Sequence, residues 1–218
     1  HCKMLNWSKT MSGYVEKGEV VRNIQIGSDV WMMDIHAPKQ AAEAKVGQFC
    51  NVRVADSTAP LLRRPISYAG FDAEKGTITL LYRVVGTGTE LMTKLVAGDT
   101  LDCLGPLGEP FVTTPNMLLV GGGVGIAPML CIAYHLKAGE TAQVILGFRN
   151  ESETFWADLF KDTPVEVHIT TDDGSVGTKG FPTAIMPELI GSNDFTSVMT
   201  CGPMPLMEGV VAVAKEFD

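Results

Sequence analysis

The sequence contains no C-x-x-C pair, no run of lysine and arginine, and no apolar stretch of the kind that opens a secretory signal. Each absence removes a class of protein. The five cysteines (Cys2, Cys50, Cys103, Cys131 and Cys201) come no closer in sequence than the 28 residues between Cys103 and Cys131, so no local pair can clip a metal. Their odd number and wide spacing suit free thiols in a reducing compartment, and the protein is expected to be cytoplasmic. His1, His36, His135 and His168 are scattered too, and no metal site is expected within residues 1–218. Seventeen basic residues face 25 acidic ones, a net charge of −8, which argues against nucleic acid and against a basic membrane-binding face. Asn116 to Leu136 carries no charged residue and is long enough to cross a bilayer, but Gly121, Gly122, Gly123, Gly125 and Pro128 break it into a strand, a turn and a helix. The chain opens at His1 rather than Met, which makes its first ten residues a poor guide. There are no repeats or low-complexity tracts.

What is present is an ordinary globular composition, 45% hydrophobic and 19% charged over 218 residues, enough for one or two domains. The first half reads as β-structure. Glu19 to Ile26 and Val30 to His36 flank a Gly27-Ser28-Asp29 turn, Gln48 to Ala55 alternates, and Thr77 to Val85 is rich in β-branched and aromatic residues between Gly76 and Gly86. Thr87 to Val96 predicts a short helix, and Thr100 to Leu104 a further strand. Short strands with turn signals predict a small antiparallel barrel. The second half changes period. Strands are expected at Met117–Val120, Gln143–Leu146, Val165–Thr170 and Ser197–Thr200. They alternate with helices from Ile126, over Glu153–Phe160, over Phe181–Leu189 and over Pro205–Glu216, the pattern of a doubly wound parallel sheet. The change falls in residues 108–116, giving expected domains of 11–112 and 113–218.

Five stretches could carry chemistry. Gly121-Gly122-Gly123-Val124-Gly125-Ile126-Ala127-Pro128 follows a strand and opens a helix. Backbone amides there can approach a diphosphate, and Pro128 is tolerated in the first turn. It departs from G-x-G-x-x-G, and no acidic residue stands clearly at a strand end about 20 positions on to hold a ribose; a ligand-free tight turn is the alternative. Arg64-Pro65-Ile66-Ser67, preceded by Arg63, offers a phosphate-binding guanidinium and a hydroxyl, or is a surface loop. Tyr82-Arg83-Val84-Val85-Gly86-Thr87-Gly88-Thr89 ends a strand and starts a helix, offering amides to an anion, or is a capped helix. Cys201-Gly202-Pro203 follows the last strand, beside whatever the glycine turn binds, or Cys201 is a buried structural cysteine. Asp172-Asp173-Gly174-Ser175 follows another strand and is a ligand contact or a turn. Arg149 could clamp a 2′-phosphate or stand solvated. A hydrolase built on Ser175 or Cys201 lacks a positioned base.

The order of these stretches is more specific than any one. R-P-I-S at 64–67, L-Y-R-V-V-G-T-G-T at 81–89, L-G-P-L-G at 104–108, G-G-G-V-G-I-A-P at 121–128, T-T-D-D-G-S-V-G-T-K-G at 170–180 and C-G-P-M-P at 201–205 together resemble the electron-transfer subunits of NAD-dependent dihydroorotate dehydrogenases, within the ferredoxin reductase superfamily. The resemblance runs from about Gly13 to the end. It implies a β + α/β protein, with an N-terminal antiparallel β-barrel flavin domain and a Rossmann-like parallel-sheet nicotinamide domain. It implies that Arg64 meets the FAD diphosphate, that Pro65 is among the cofactor-binding residues, that Ser67 hydrogen-bonds flavin N5 and that Ile66 lies at the ring. Leu81, Tyr82 and Arg83 would line the flavin, and Gly88 and Thr89 would hold its phosphates. Gly121, Gly122, Gly123, Val124, Gly125 and Pro128 would cradle NAD(H), with Cys201, Gly202 and Pro203 by the nicotinamide. Ser67 and Cys201 would stand at the reacting atoms.

The same resemblance implies a partner, an FMN-containing dihydroorotate dehydrogenase catalytic subunit in a heterotetramer, and a place in pyrimidine biosynthesis. It also implies a [2Fe–2S] cluster, whose closely spaced cysteine ligands are absent from this chain. Related members reduce other acceptors, so a ferredoxin:NADP oxidoreductase alpha or sulfide dehydrogenase-like subunit is the alternative; a non-catalytic scaffold on the same fold is a third.

Overall fold

The computed structural model describes residues 13–55 and 60–217; Cys2, His1 and the start of the expected first domain lie outside them. Contacts divide the chain into two compact units. One holds the described residues up to Gln25 with Asp29–Phe111, the other Ile26–Ser28 with the residues from Val112 on.

The first unit is a closed six-stranded barrel. Its strands are β1 (Tyr14–Gln25), β2 (Val30–His36), β3 (Phe49–Arg53), β4 (Arg64–Asp72), β5 (Thr77–Arg83) and β6 (Thr100–Leu107), in the order β1-β2-β5-β4-β3-β6 with every pairing antiparallel. Alternation sets the inner face, where Val20, Val30, Met33, Ile35, Val52, Ile78 and Leu80 have no exposed surface. Each fully buried aliphatic side chain contributes about 1.5–3 kcal/mol. The β4–β5 turn is tied by Asp72, whose Oδ1 accepts from the amides of Glu74 (3.0 Å) and Lys75 (2.9 Å), a local turn that needs no tertiary partner. Helix α2 (Thr87–Met92) follows β5 and is shorter than its sequence period predicts.

Helix α1 (Pro38–Glu43) was not legible in the sequence. Its cap is not a neighbour but Glu16 of β1, whose carboxylate accepts from the amides of Lys39 (3.1 Å) and Gln40 (2.9 Å). The fully buried Gln40 accepts from Tyr68 Oη (2.8 Å) and donates to the Cys103 carbonyl (2.8 Å), so a polar group in the core keeps its hydrogen bonds.

The second unit is a parallel sheet of β7 (Asn116–Gly122), β8 (Thr141–Phe148), β9 (Glu166–Thr171), β10 (Thr178–Lys179) and β11 (Ser197–Cys201), ordered β10-β9-β8-β7-β11. Met117 to Val120 are fully buried, as a strand covered on both faces requires. Helix α3 (Ile126–Tyr134) is buried from Ile126 to Ala133. It covers the face onto which Gly121 opens, while helix α5 (Met204–Ala214) covers the face of Gly122. Leu118, Val120, Ile145, Met186 and Val210 form the core beneath α5 and helix α4 (Met186–Ser192), joined by Leu189, Phe195 and Leu206.

Two predicted α-helices take other forms. Glu151–Phe160 is 3₁₀: Asn150 Oδ1 accepts from Ser152 N (3.0 Å) and Oγ (2.6 Å), and Thr154 Oγ1 donates to the Glu151 carbonyl (2.8 Å), local bonds that favour the tighter winding. The helix expected over Phe181–Leu189 is a 3₁₀ turn at Pro182–Ala184 followed by α4, because Pro182 and Pro187 each lack the donor that a continuous helix needs.

Candidate functional site

In the barrel, two adjacent arginines have different tasks. Arg63 is a staple: its Nη1 donates to Asp102 Oδ1 (2.8 Å) and to the carbonyls of Asn51 and Asp102 (both 3.2 Å), fastening the start of β4 to β3 and β6. Arg64 instead lies over Gly88 in the first turn of α2. A Cβ at Gly88 would overlap the Arg64 guanidinium. Two stretches 24 residues apart in sequence thus converge as a guanidinium over a bare backbone. Arg64 Nη1 also donates to the Leu62 carbonyl. Pro65 is exposed, Ile66 and Ser67 are half-buried and pair with Cys50 and Phe49 of β3.

The side chain of Thr89 is used inside the protein. Its Oγ1 accepts from Val85 N (2.9 Å) and Gly86 N (3.3 Å) and donates to the Gly86 carbonyl (2.9 Å), so what it can offer an anion is its amide. Leu81 and Tyr82 are at most 2% exposed, and Tyr82 Oη donates to Asn23 Oδ1 (3.0 Å). Arg83 Nε lies 3.2 Å from Asp29 Oδ2.

In the sheet unit the strand order reverses between β7 and β11. Their carboxyl ends carry Gly121, Gly122, Cys201 and Gly202, with Gly121 opposite Cys201. A reversal point of this kind is where open α/β sheets bind ligands. Gly123–Gly125 forms a 3₁₀ turn leading into α3, with Gly123 at φ +55° and Val124 half exposed at the tip. Gly125 packs so closely on the end of β11 that a Cβ there would strike the backbone of Cys201 and Gly202. Pro128 is buried in the first turn of α3, where it costs no hydrogen bond. Pro203 precedes α5 and is exposed. Burial pushes the Cys201 thiol above its ordinary pKa, against the pull of the Gly202 amide, so Cys201 is a neutral thiol at neutral pH.

The next strand ends add polar groups. After β8, Arg149 Nε and Nη2 donate to Glu153 Oε1 (3.2 and 2.7 Å). After β9, Ser175 Oγ donates to Asp173 Oδ1 (2.7 Å) and accepts from Glu151 N (2.8 Å), which commits that hydroxyl to the loop. Glu153 is the residue that sequence reading missed. It stands beyond the strand, on the following 3₁₀ helix, and its i, i+4 spacing from Arg149 was the available signal.

Residues 17–111 match the oxidoreductase FAD-binding domain family, and residues 119–212 the oxidoreductase NAD-binding domain family. The dihydroorotate dehydrogenase B (NAD(+)) electron transfer subunit of Fusobacterium nucleatum is 36% identical over 210 residues, covering 93% of this chain and 81% of the relative. The chain belongs to this family of electron transfer subunits. The Bacillus pumilus member is 36% identical over 199 residues, covering 88% of this chain and 75% of its own. Among solved structures, that of the NADH-dependent reduced ferredoxin-NADP oxidoreductase superposes with a TM-score of 0.81 at 35% identity, over 95% of this chain and 75% of its own. The b5R-containing domains of human Ncb5or share the fold, with a TM-score of 0.77 at 18% identity over 97% of this chain and 68% of theirs. The chain is accordingly an oxidoreductase of the ferredoxin reductase superfamily, with an FAD-binding and an NAD-binding domain.

The residues present fit both cofactors. The Arg64–Gly88 contact suits a diphosphate, because a guanidinium and a backbone without Cβ converge. The β7–α3 turn suits a second one, because it brings backbone without Cβ to the start of a helix. The iron–sulfur cluster has no such fit: no group of three or more His, Cys, Asp or Glu able to hold a metal occurs among the described residues. Nor, among them, is any helix long and apolar enough to cross a membrane.

Proposed function

We propose that the chain is the flavoprotein electron-transfer subunit of a dihydroorotate dehydrogenase. It takes electrons from a partner catalytic subunit that contains FMN and delivers them through FAD to NAD+, in a cytoplasmic heterotetramer serving pyrimidine biosynthesis. Its FAD-binding domain spans residues 11–112 and its NAD(H)-binding domain 113–218. The observation that carries this reading is the identity, over most of both chains, with relatives that bear that name. The intact Arg64–Gly88 and Gly125–Cys201 contacts support a working flavin enzyme over a degenerate scaffold.

What FAD and NAD(H) supply when bound is hydride exchange between their rings. The chain supplies orientation and electrostatics. Arg64, with the amides of Gly88 and Thr89, neutralises and fixes the FAD diphosphate. Pro65 and Ile66 border the flavin, and Ser67 offers it a hydrogen bond at N5. The backbone of Leu81 and Tyr82, with Arg83, completes that wall, since the side chains of Leu81 and Tyr82 are buried. Gly121, Gly122, Gly123, Val124, Gly125 and Pro128 cradle the dinucleotide, and Cys201, Gly202 and Pro203 border the nicotinamide. A neutral Cys201 thiol adds no charge there and takes no proton.

A second reading, a ferredoxin-linked reductase subunit, is favoured by the 35% identity to the ferredoxin-NADP oxidoreductase. The test is the visible spectrum of the purified chain before and after anaerobic NADH. Oxidised-flavin bands that bleach support flavin electron transfer, and a protein that stays colourless after incubation with FAD overturns it. Reoxidation of the bleached flavin by a dihydroorotate dehydrogenase catalytic subunit with orotate supports the first reading; reoxidation by ferredoxin alone supports the second.

A further inference from the structure

Strand β1 turns one polar side chain toward the inside of the barrel. Asn23 stands opposite Met33 in the β1–β2 pair, and residues so paired share a face; Met33 has no exposed surface. Asparagine is a poor strand former, and on an inner face it has to find hydrogen-bond partners. Asn23 has them. Its Nδ2 donates to the carbonyls of Met92 (2.8 Å) and Leu95 (2.9 Å), and its Oδ1 accepts from Tyr82 Oη (3.0 Å). The amide can point only one way, because two carbonyls accept and cannot donate. One side chain of β1 thus joins the end of α2 to β5, over sequence separations of 59, 69 and 72 residues.

Helix α2 needs such a tie. It has six residues, too few to hold together alone. Its start is closed locally, by the Thr89 side chain on Val85 and Gly86. Its end is held to the barrel by the fully buried Met92 and by the bonds from Asn23. The same short helix carries Gly88, beneath the Arg64 guanidinium, and the Thr89 amide. We propose that Asn23 is a positioning residue for FAD: by fixing the far end of α2 to β1 and β5, it keeps Gly88 and the Thr89 amide in place under Arg64, so that one diphosphate meets all three. The inference rests on the FAD-binding reading above and names the residue that sets its geometry. Asn23 acts through α2 and is not itself a ligand of the cofactor. Where the tie is cut, α2 is in place for only part of the time, and the apparent FAD affinity falls with that fraction.

The test is equilibrium dialysis of FAD against the purified full chain, with the melting temperature of each apoprotein and amide hydrogen exchange over residues 87–95 measured alongside. Asn23→Leu removes all the bonds at similar size, and Asn23→Asp keeps the shape and removes both donors. Each is expected to weaken FAD about tenfold and to speed exchange across α2 in the apoprotein, with saturating FAD restoring protection. Ile78→Ala is the comparison. It empties a fully buried site in the same barrel and lowers the melting temperature through lost packing, yet is expected to leave FAD affinity within about twofold. A purely structural role for Asn23 would make affinity follow melting temperature, so that Ile78→Ala and the Asn23 variants lose alike. That result, or an FAD affinity unchanged in either Asn23 variant, overturns the proposal and leaves the FAD reading standing. An unaltered chain that takes up no FAD overturns both.

Discussion

The barrel and the parallel sheet build their proposed diphosphate sites in opposite ways. The barrel brings a charged side chain, Arg64, onto a residue that has none, Gly88. The sheet brings backbone onto backbone, with the Gly125 turn lying against the end of β11. A site made with a side chain can be weakened by one substitution while its scaffold stands. A site made of backbone is inseparable from the packing that forms it, so damage to one is damage to the other. The two halves should therefore fail differently.

The largest effect is expected at Gly125→Ala. The added methyl meets backbone that cannot swing aside, so the sheet unit has to give at the β7–β11 join. NADH-dependent flavin reduction falls by at least ~100-fold, the equivalent of about 3 kcal/mol, while the flavin spectrum of the barrel persists. Stopped-flow reduction alongside an absorbance scan checks both halves. An intact reduction rate breaks the comparison.

Arg64→Ala comes next. Losing a charged hydrogen-bonding group costs about 1.5–3 kcal/mol, or roughly 10- to 100-fold in FAD affinity. Equilibrium dialysis measures it, and a melting temperature within a few degrees of the unaltered apoprotein shows that the scaffold stands. Arg64→Lys should recover only part of the loss, since lysine cannot bind in two-pronged fashion.

The smallest effect is in alkali. Burial pushes the Cys131 thiol up to about 12, and Tyr82, also through burial, up to about 12. The hydrogen bond to the neighbouring Cys103 thiol, followed by burial, raises Cys50 as well. The folded chain keeps protons that the unfolded chain releases above pH ~9. The stability these groups contribute is thus complete below pH ~9 and is lost as pH climbs toward 12. Cys50 and Tyr82 belong to the barrel and Cys131 to the sheet, so the barrel should loosen first. Limited proteolysis at pH 8 and pH 10.5, with the fragments mapped by mass, reads out the order; earlier cleavage of the sheet would reverse it.

The sheet unit was the more legible half in sequence. Its strands are continuous apolar runs such as Met117–Val120, and its glycine turn is contiguous in sequence. In the barrel, alternation and turn signals mark β2, β3 and β5, whereas β4 was not anticipated as a strand and the joins are hidden. The capping of α1 by Glu16 and the landing of Arg64 on Gly88 arise from pairing between distant strands, which local pattern does not encode. The residues of 64–67 and 82–89 show singly as motifs; the resemblance implies that both serve one diphosphate, and the fold sets Arg64 on Gly88. Neither their division of labour, with Arg63 fastened to Asp102, nor the burial of Leu81 and Tyr82 could be read from residue type. Glu153 is not visible from the strand ends, because its carboxylate is delivered one helical turn later.

The reversal point between β7 and β11 also has a consequence in time. Asn116, which opens β7, and Thr196, just before β11, are 80 residues apart in the chain. The glycine turn emerges from the ribosome early, and the strand that braces it emerges near the end of the unit. Contacts this distant form late and slow folding. During synthesis the turn thus waits without the backbone of Cys201 and Gly202 against it, and a nascent chain stopped before Ser197 would carry every glycine of that turn and still have nothing to hold it shut.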